Sequence, residues 1–118
     1  MNKIYHLSTC GTCKKILSSL DLTGTTLQDV KTNPITENQL NKLREMTNSF
    51  ESLFSKRAMK YKSLGLANKQ LSEDDYKQYL LSDYTFLKRP VAVIEGSIFI
   101  GNSKKSAAAL KAKLTDMK

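Results

Sequence analysis

Cys10 and Cys13 are the only cysteines in the chain, and both stand in one Cys-Gly-Thr-Cys segment. A thiol becomes a nucleophile or a redox centre once its thiolate is stabilised. The start of a helix does this with unpaired N–H groups and a positive dipole end. Cys10 falls where a strand-like run, Lys3-Ile4-Tyr5-His6-Leu7, gives way through Ser8-Thr9 to a helical pattern. Lys14, Lys15 and His6 add positive charge nearby in the sequence. Cys13 would lie about one turn into the helix, within reach of the Cys10 sulfur. In that arrangement Cys10 attacks and Cys13 resolves a mixed disulfide or a sulfenate. The plainer alternative is a pair of small core cysteines. A secreted disulfide scaffold would use more cysteines at wider spacing. Two thiols and a single histidine fall short of the four ligands of a zinc centre, so no metal is expected.

The same helix start is a candidate anion site. Backbone N–H groups of Gly11, Thr12 and Cys13 would hold an oxyanion above the thiol, with the Thr12 hydroxyl as a further donor. Arginine is scarce beside lysine here, which marks Arg57 and Arg89 as candidates for planar, two-pronged oxyanion recognition. A solvated surface role is the alternative for either. Arg89-Pro90 leads into an apolar run, and proline is sterically allowed at the first position of a strand.

These residues need elements to hold them. After the thiol segment, Ile16, Leu17 and Leu20 form one face of a helix that Gly24 is expected to stop, and Thr25–Val30 reads as a second strand. Strand, helix, strand with a helical crossover implies a parallel βαβ unit. The middle reads as helical. Thr36 and Gln39 form a capping box, a short helix covers Met59 to Leu64 before Gly65, and Ser72 caps a helix whose first turn is Glu73-Asp74-Asp75. Val91–Ile94 and Ser97–Ile100 flank Glu95-Gly96, a tight hairpin signal, and an Ala-rich helix follows from Lys104 to Leu114. The expected fold is α/β with a mixed sheet, βαβ…ββα, carrying a helical insertion of about fifty residues at positions 35–85. A length of 118 residues predicts a single domain over 1–118.

Charge and hydropathy exclude several functions. The net charge is +8, but the excess is +4 in each half of the chain, with no basic tail and no tryptophan. A nucleic-acid binder concentrates charge on one stripe and adds aromatic stacking residues, so no direct nucleic-acid partner is expected. No apolar run approaches the roughly twenty residues of a membrane helix, and the first residues lack the apolar core of a signal peptide. A soluble, cytoplasmic protein without a membrane partner is the expectation.

Several segments together resemble the ArsC/Spx, or arsenate-reductase-like, family of the thioredoxin superfamily. They are Ile4-Tyr5-His6-Leu7-Ser8-Thr9-Cys10-Gly11-Thr12, with a histidine four residues before the cysteine, then Ser55-Lys56-Arg57, Tyr61–Leu66 and Leu87-Lys88-Arg89-Pro90-Val91. The resemblance implies a thioredoxin-like sheet with a helical insertion, and a cis Pro90 facing the cysteine. It also implies that Cys10 attacks arsenate, that Arg89 and Arg57 hold its oxygens, and that His6 helps lower the Cys10 pKa. No cofactor would be bound, and glutathione with glutaredoxin would act as the external reductant. A disulfide substrate and thioredoxin are the related possibilities for substrate and partner. Two features depart from the reductase pattern: Cys13 replaces a usual serine, and Ile100-Gly101-Asn102 stands where a third arginine is expected. A CxxC here resembles Spx, so the alternative is a redox-sensing regulator that binds RNA polymerase.

Overall fold

Ile4 and Tyr5 are adjacent and both buried, so this strand is covered on both faces, and it is the one around which the sheet is built. The computed structural model describes residues 2–116. Strand β1 (Asn2–His6) pairs in parallel with β2 (Thr25–Asp29) and antiparallel with β3 (Val91–Ile94), which in turn pairs antiparallel with β4 (Ser97–Ile100). The order β2-β1-β3-β4 is the mixed α/β sheet expected from the element pattern.

Two compact units divide the chain. One comprises the segment up to Asn33 and the segment from Arg89 onward; the other is Pro34–Lys88. The first contains the sheet, helix α1 (Gly11–Ser18) and helix α5 (Lys104–Asp116). Its core joins Ile4, Ala92 and Ile94 from the sheet to Leu110 and Leu114 from α5, with Leu17, Leu20, Leu22 and Phe99 packed against it. Leu110 and Leu114 are four residues apart, so both emerge on one face of α5. The β3–β4 turn places Glu95 at φ 49° and Gly96 at φ 79°, two successive left-handed residues whose twist matches that of the flanking strands. The Asn2 side-chain oxygen accepts the Glu95 N–H at 3.0 Å and ties the turn to the start of β1.

Helix α1 is shorter than its sequence pattern suggests. It ends at Ser18, and Leu20 lies beyond it, packed on the core from the following loop. The Ser18 and Ser19 hydroxyls donate to the carbonyls of Lys15 and Ile16 at 2.8 Å, satisfying acceptors that another helical turn would otherwise occupy. Gly24, at φ 77°, turns the chain into β2 rather than ending the helix.

The second unit contains α2 (Glu37–Thr47), α3 (Met59–Ser63) and α4 (Glu73–Ser82), linked by 3₁₀ turns at Glu51–Leu53, Leu66–Asn68 and Tyr84–Phe86. The expected capping box forms at Thr36, and the Ser72 cap proves to be a second one. Thr36 and Gln39 exchange backbone and side-chain hydrogen bonds at 3.1 Å, and Ser72 and Asp75 do so at 3.2 and 2.9 Å. The Glu73 carboxylate also accepts the N–H groups of Phe50 and Glu51, which fixes the start of α4 against the Glu51–Leu53 turn. Phe54 stacks on Phe86 at 5.0 Å and meets Tyr76 edge-on at 5.0 Å. Each such pair adds about 1 kcal/mol beyond burial.

Candidate active site

β1 ends at His6 and the backbone turns through Leu7, Ser8 and Thr9, so that Cys10 becomes the residue capping α1. Its backbone is extended, at φ −89° and ψ 113°, the conformation a capping residue adopts. The Cys10 N–H donates to the Leu7 carbonyl at 3.0 Å, and the Cys10 carbonyl accepts from Lys14 at 3.0 Å. Cys10 is half-buried; Cys13, the only fully buried residue of α1, is 0% exposed.

Burial pushes the Cys10 thiol up, but four influences outweigh it and hold the thiol below its ordinary value. These are the Cys13 N–H, the Cys13 thiol, the Arg89 guanidinium and the Thr12 N–H. The Cys10 side chain forms no capping hydrogen bond of ordinary geometry, so the amides act on its charge as the positive end of the helix. Cys13 moves the other way. Burial first, then the proximity of Cys10, pushes it up to about 11, against opposing contributions from the Leu7 backbone and Arg89. Such a split is what a shared thiol–thiol hydrogen bond produces, the buried group donating and the outer group accepting.

Gly11 and Thr12 are exposed at the first turn, and a Cβ built on Gly11 would meet no protein atom within 4 Å. Arg89 is half-buried and its charge bears on both thiols. The Arg89–Pro90 peptide bond is cis. Pro90 is buried, and its carbonyl accepts the Gly101 N–H at 2.9 Å, closing the far end of the hairpin. The first unit therefore brings Cys10, Gly11, Thr12, Cys13, Arg89 and Pro90 onto the sheet and its first helix. Arg57 belongs to the second unit, where it is exposed in the turn ahead of α3.

His6 is half-buried at the end of β1, directly opposite Asp29 in the parallel register. Arg89 is a positive charge that acts on Cys10, and His6 acts on Asp29. The Ser8 hydroxyl above all, then the N–H groups of Lys31 and Ser8 and the His6 charge, hold the Asp29 carboxyl below the usual range against a smaller effect of burial. Sequence reading did not single out Ser8 or Asp29. They lie 21 residues apart, and no local pattern joins them. Among the described residues, no three His, Cys, Asp or Glu side chains gather as a metal site would require, and no helix is long and apolar enough to cross a membrane.

A four-stranded mixed sheet with a thiol pair opening its first helix and a cis-proline ahead of β3 defines a thioredoxin-like protein. The ArsC family model matches residues 5–110, and the chain belongs to that family. An arsenate reductase of Escherichia coli is 31% identical over 93 residues, covering 76% of this chain and 66% of that relative's length. Among solved structures, the YFFB protein superposes with a TM-score of 0.79 at 22% identity, over 97% of this chain and 99% of its own. A possible arsenate reductase from Streptococcus mutans gives a TM-score of 0.73 at 29% identity, over 93% of this chain and 97% of its own.

Proposed function

We propose that the protein is a thiol-dependent oxidoreductase of the arsenate-reductase type, with Cys10 as its nucleophile. The observation that carries this reading is the half-buried Cys10 thiol, held below its ordinary pKa at the start of α1 with Arg89 acting on it. The Cys10 thiolate would form a sulfur–arsenic bond and displace one arsenate oxygen, which leaves as water after protonation. Two electrons then come from external thiols, so that arsenate and two glutathiones yield arsenite, glutathione disulfide and water. Glutaredoxin is the proposed carrier of those electrons, and the cytosol, where glutathione is abundant, the proposed compartment.

Gly11 and Thr12 are exposed, and their N–H groups at the start of α1 suit the oxyanion during attack, while Arg89 suits a two-pronged contact with its oxygens. Arg57 is assigned a second contact on the family pattern alone. The coupled assay with glutathione, glutaredoxin, glutathione reductase and NADPH is the direct test. Arsenate-dependent NADPH consumption that Cys10→Ser abolishes is expected; its absence in the unmodified protein sinks the reading. A second reading draws on Cys13, a thiol directly against Cys10, and casts the pair as an Spx-like sensor that docks on RNA polymerase. Recovery of polymerase subunits by the oxidised or reduced protein would favour it.

A further inference from the structure

The loop that presents Cys10 is anchored from outside its own element. Ser8, two residues before the thiol, donates its hydroxyl to Asp29 Oδ2, and its N–H makes a longer contact with Oδ1 at 3.5 Å. Asp29 is the last residue of β2, and Oδ1 also accepts the Lys31 N–H at 3.1 Å. Its carbonyl takes the Asn33 N–H at 2.8 Å, while the Val30 N–H donates to the His6 carbonyl at 2.9 Å. One carboxylate thus joins the end of β2 to the turn between β1 and α1. We propose that Asp29 is a positioning residue for the nucleophile, its carboxylate holding the Ser8 loop so that the first amides of α1 stay against the Cys10 sulfur.

The physical case rests on what else holds that turn. Between His6 and Gly11 the turn is held by the Cys10-to-Leu7 hydrogen bond, by the Leu7 backbone against the Cys13 thiol and by the burial of Leu7, while Ser8 itself is anchored from β2 by Asp29. A thiolate at a helix start depends on the direction of amide dipoles over a few ångströms, so a modest rotation of the loop weakens them. Asp29 carries a negative charge, which by field alone would disfavour the Cys10 thiolate. Positioning and field therefore act with opposite signs, and the two are separable.

The proposal rests on Cys10 being the reactive thiol, but its readout is the thiol itself rather than arsenate turnover, so the two readings fail independently. The experiment measures the rate of Cys10 alkylation by iodoacetamide against pH in the full chain, with folding checked by circular dichroism. The titratable and charged groups that bear on the result are Cys13 and Arg89 around Cys10, and His6 around Asp29. Asp29→Ala and Ser8→Ala are expected to raise the thiol midpoint. At a fixed pH below it, the rate falls about tenfold for each pH unit of that rise. Asp29→Asn keeps an oxygen for the two N–H groups and a partner for the Ser8 hydroxyl while removing the charge, and is expected to react at the parent rate or somewhat faster. A midpoint that falls equally in Asp29→Ala and Asp29→Asn, or that moves in neither Asp29→Ala nor Ser8→Ala, overturns the proposal. If Asp29→Ala does not fold, Ser8→Ala, which removes one hydroxyl, decides it.

Discussion

The thiols of Cys10 and Cys13, three residues apart at the start of one helix, titrate in opposite directions. The outer one is lowered and the buried one is raised to about 11. Each contributes to the other's shift, because a hydrogen bond that favours a thiolate on the acceptor disfavours one on the donor. The pair is thereby asymmetric before any substrate arrives.

Selective labelling should expose that asymmetry. Between pH 7 and 9, iodoacetamide is expected to modify Cys10 and leave Cys13 intact, as read by tandem mass spectrometry of the peptide that contains both. Equal labelling of the two with a common midpoint near that of a free thiol would contradict the structure.

The buried thiol also sets a limit at alkaline pH. A group whose folded pKa is raised binds its proton more tightly folded than unfolded, so stability falls as pH rises above the unfolded value, about 9, toward about 11. The loss from Cys13 is on the order of 2–3 kcal/mol across that window. Urea unfolding at pH 8 and pH 11 should show it, and Cys13→Ala, though less stable at pH 8, should lose less on going to pH 11.

Arg89 supplies positive charge to Cys10 that no lysine is needed to replace. Arg89→Ala is expected to raise the Cys10 midpoint and slow its alkylation at neutral pH, whereas Arg89→Lys should restore much of the charge effect. Under the proposed activity, Arg89→Lys should still raise KM for arsenate, because an ammonium lacks the planar fork. Equal KM values for Arg89→Lys and the parent would remove Arg89 from the oxyanion site.

In the second unit, Ser72→Ala removes the hydroxyl that accepts the Asp75 N–H. The expected cost is about 1 kcal/mol, measured by denaturant unfolding, without change in Cys10 reactivity. A shift in the thiol midpoint would show that the cap does more than start α4.

Asp83 offers an acid-side counterpart. Burial works against its charge, yet the Lys60 ammonium and the hydroxyl and N–H of Thr85 pull its pKa down to about 2. A depressed carboxyl contributes stability that is present above the unfolded value, near 3.8, and lost as pH falls toward about 2. Lys60→Met should move the Asp83 titration upward, as followed by carboxyl-carbon NMR, and make the acid transition begin at higher pH. An unchanged titration would contradict the ion pair.

What the sequence made legible was what neighbours along the chain decide. Thr36 with Gln39, Ser72 with its acidic turn, Glu95-Gly96 and the thiol segment are short patterns whose hydrogen bonds close within a few residues. The end of α1 was misplaced because Leu20 continues an apolar stripe while its backbone has already left the helix. The 3₁₀ turns have too few residues to show a period. The Ser8–Asp29 anchor was invisible for a different reason. It exists only because parallel pairing of β1 and β2 sets His6 beside Asp29, and a register is a property of two distant segments at once.

β1 lies between β2 and β3, with hydrogen-bonded neighbours from opposite ends of the chain. During synthesis the thiol segment therefore leaves the ribosome long before Arg89 and β3, which complete its surroundings. Until that last third arrives, Cys10 has no guanidinium at its side and Cys13 no finished interior to be hidden in. Until then the pair can draw only on the amides and the thiol–thiol contact of its own helix, and the guanidinium's share of their unequal chemistry is added when the final strands close.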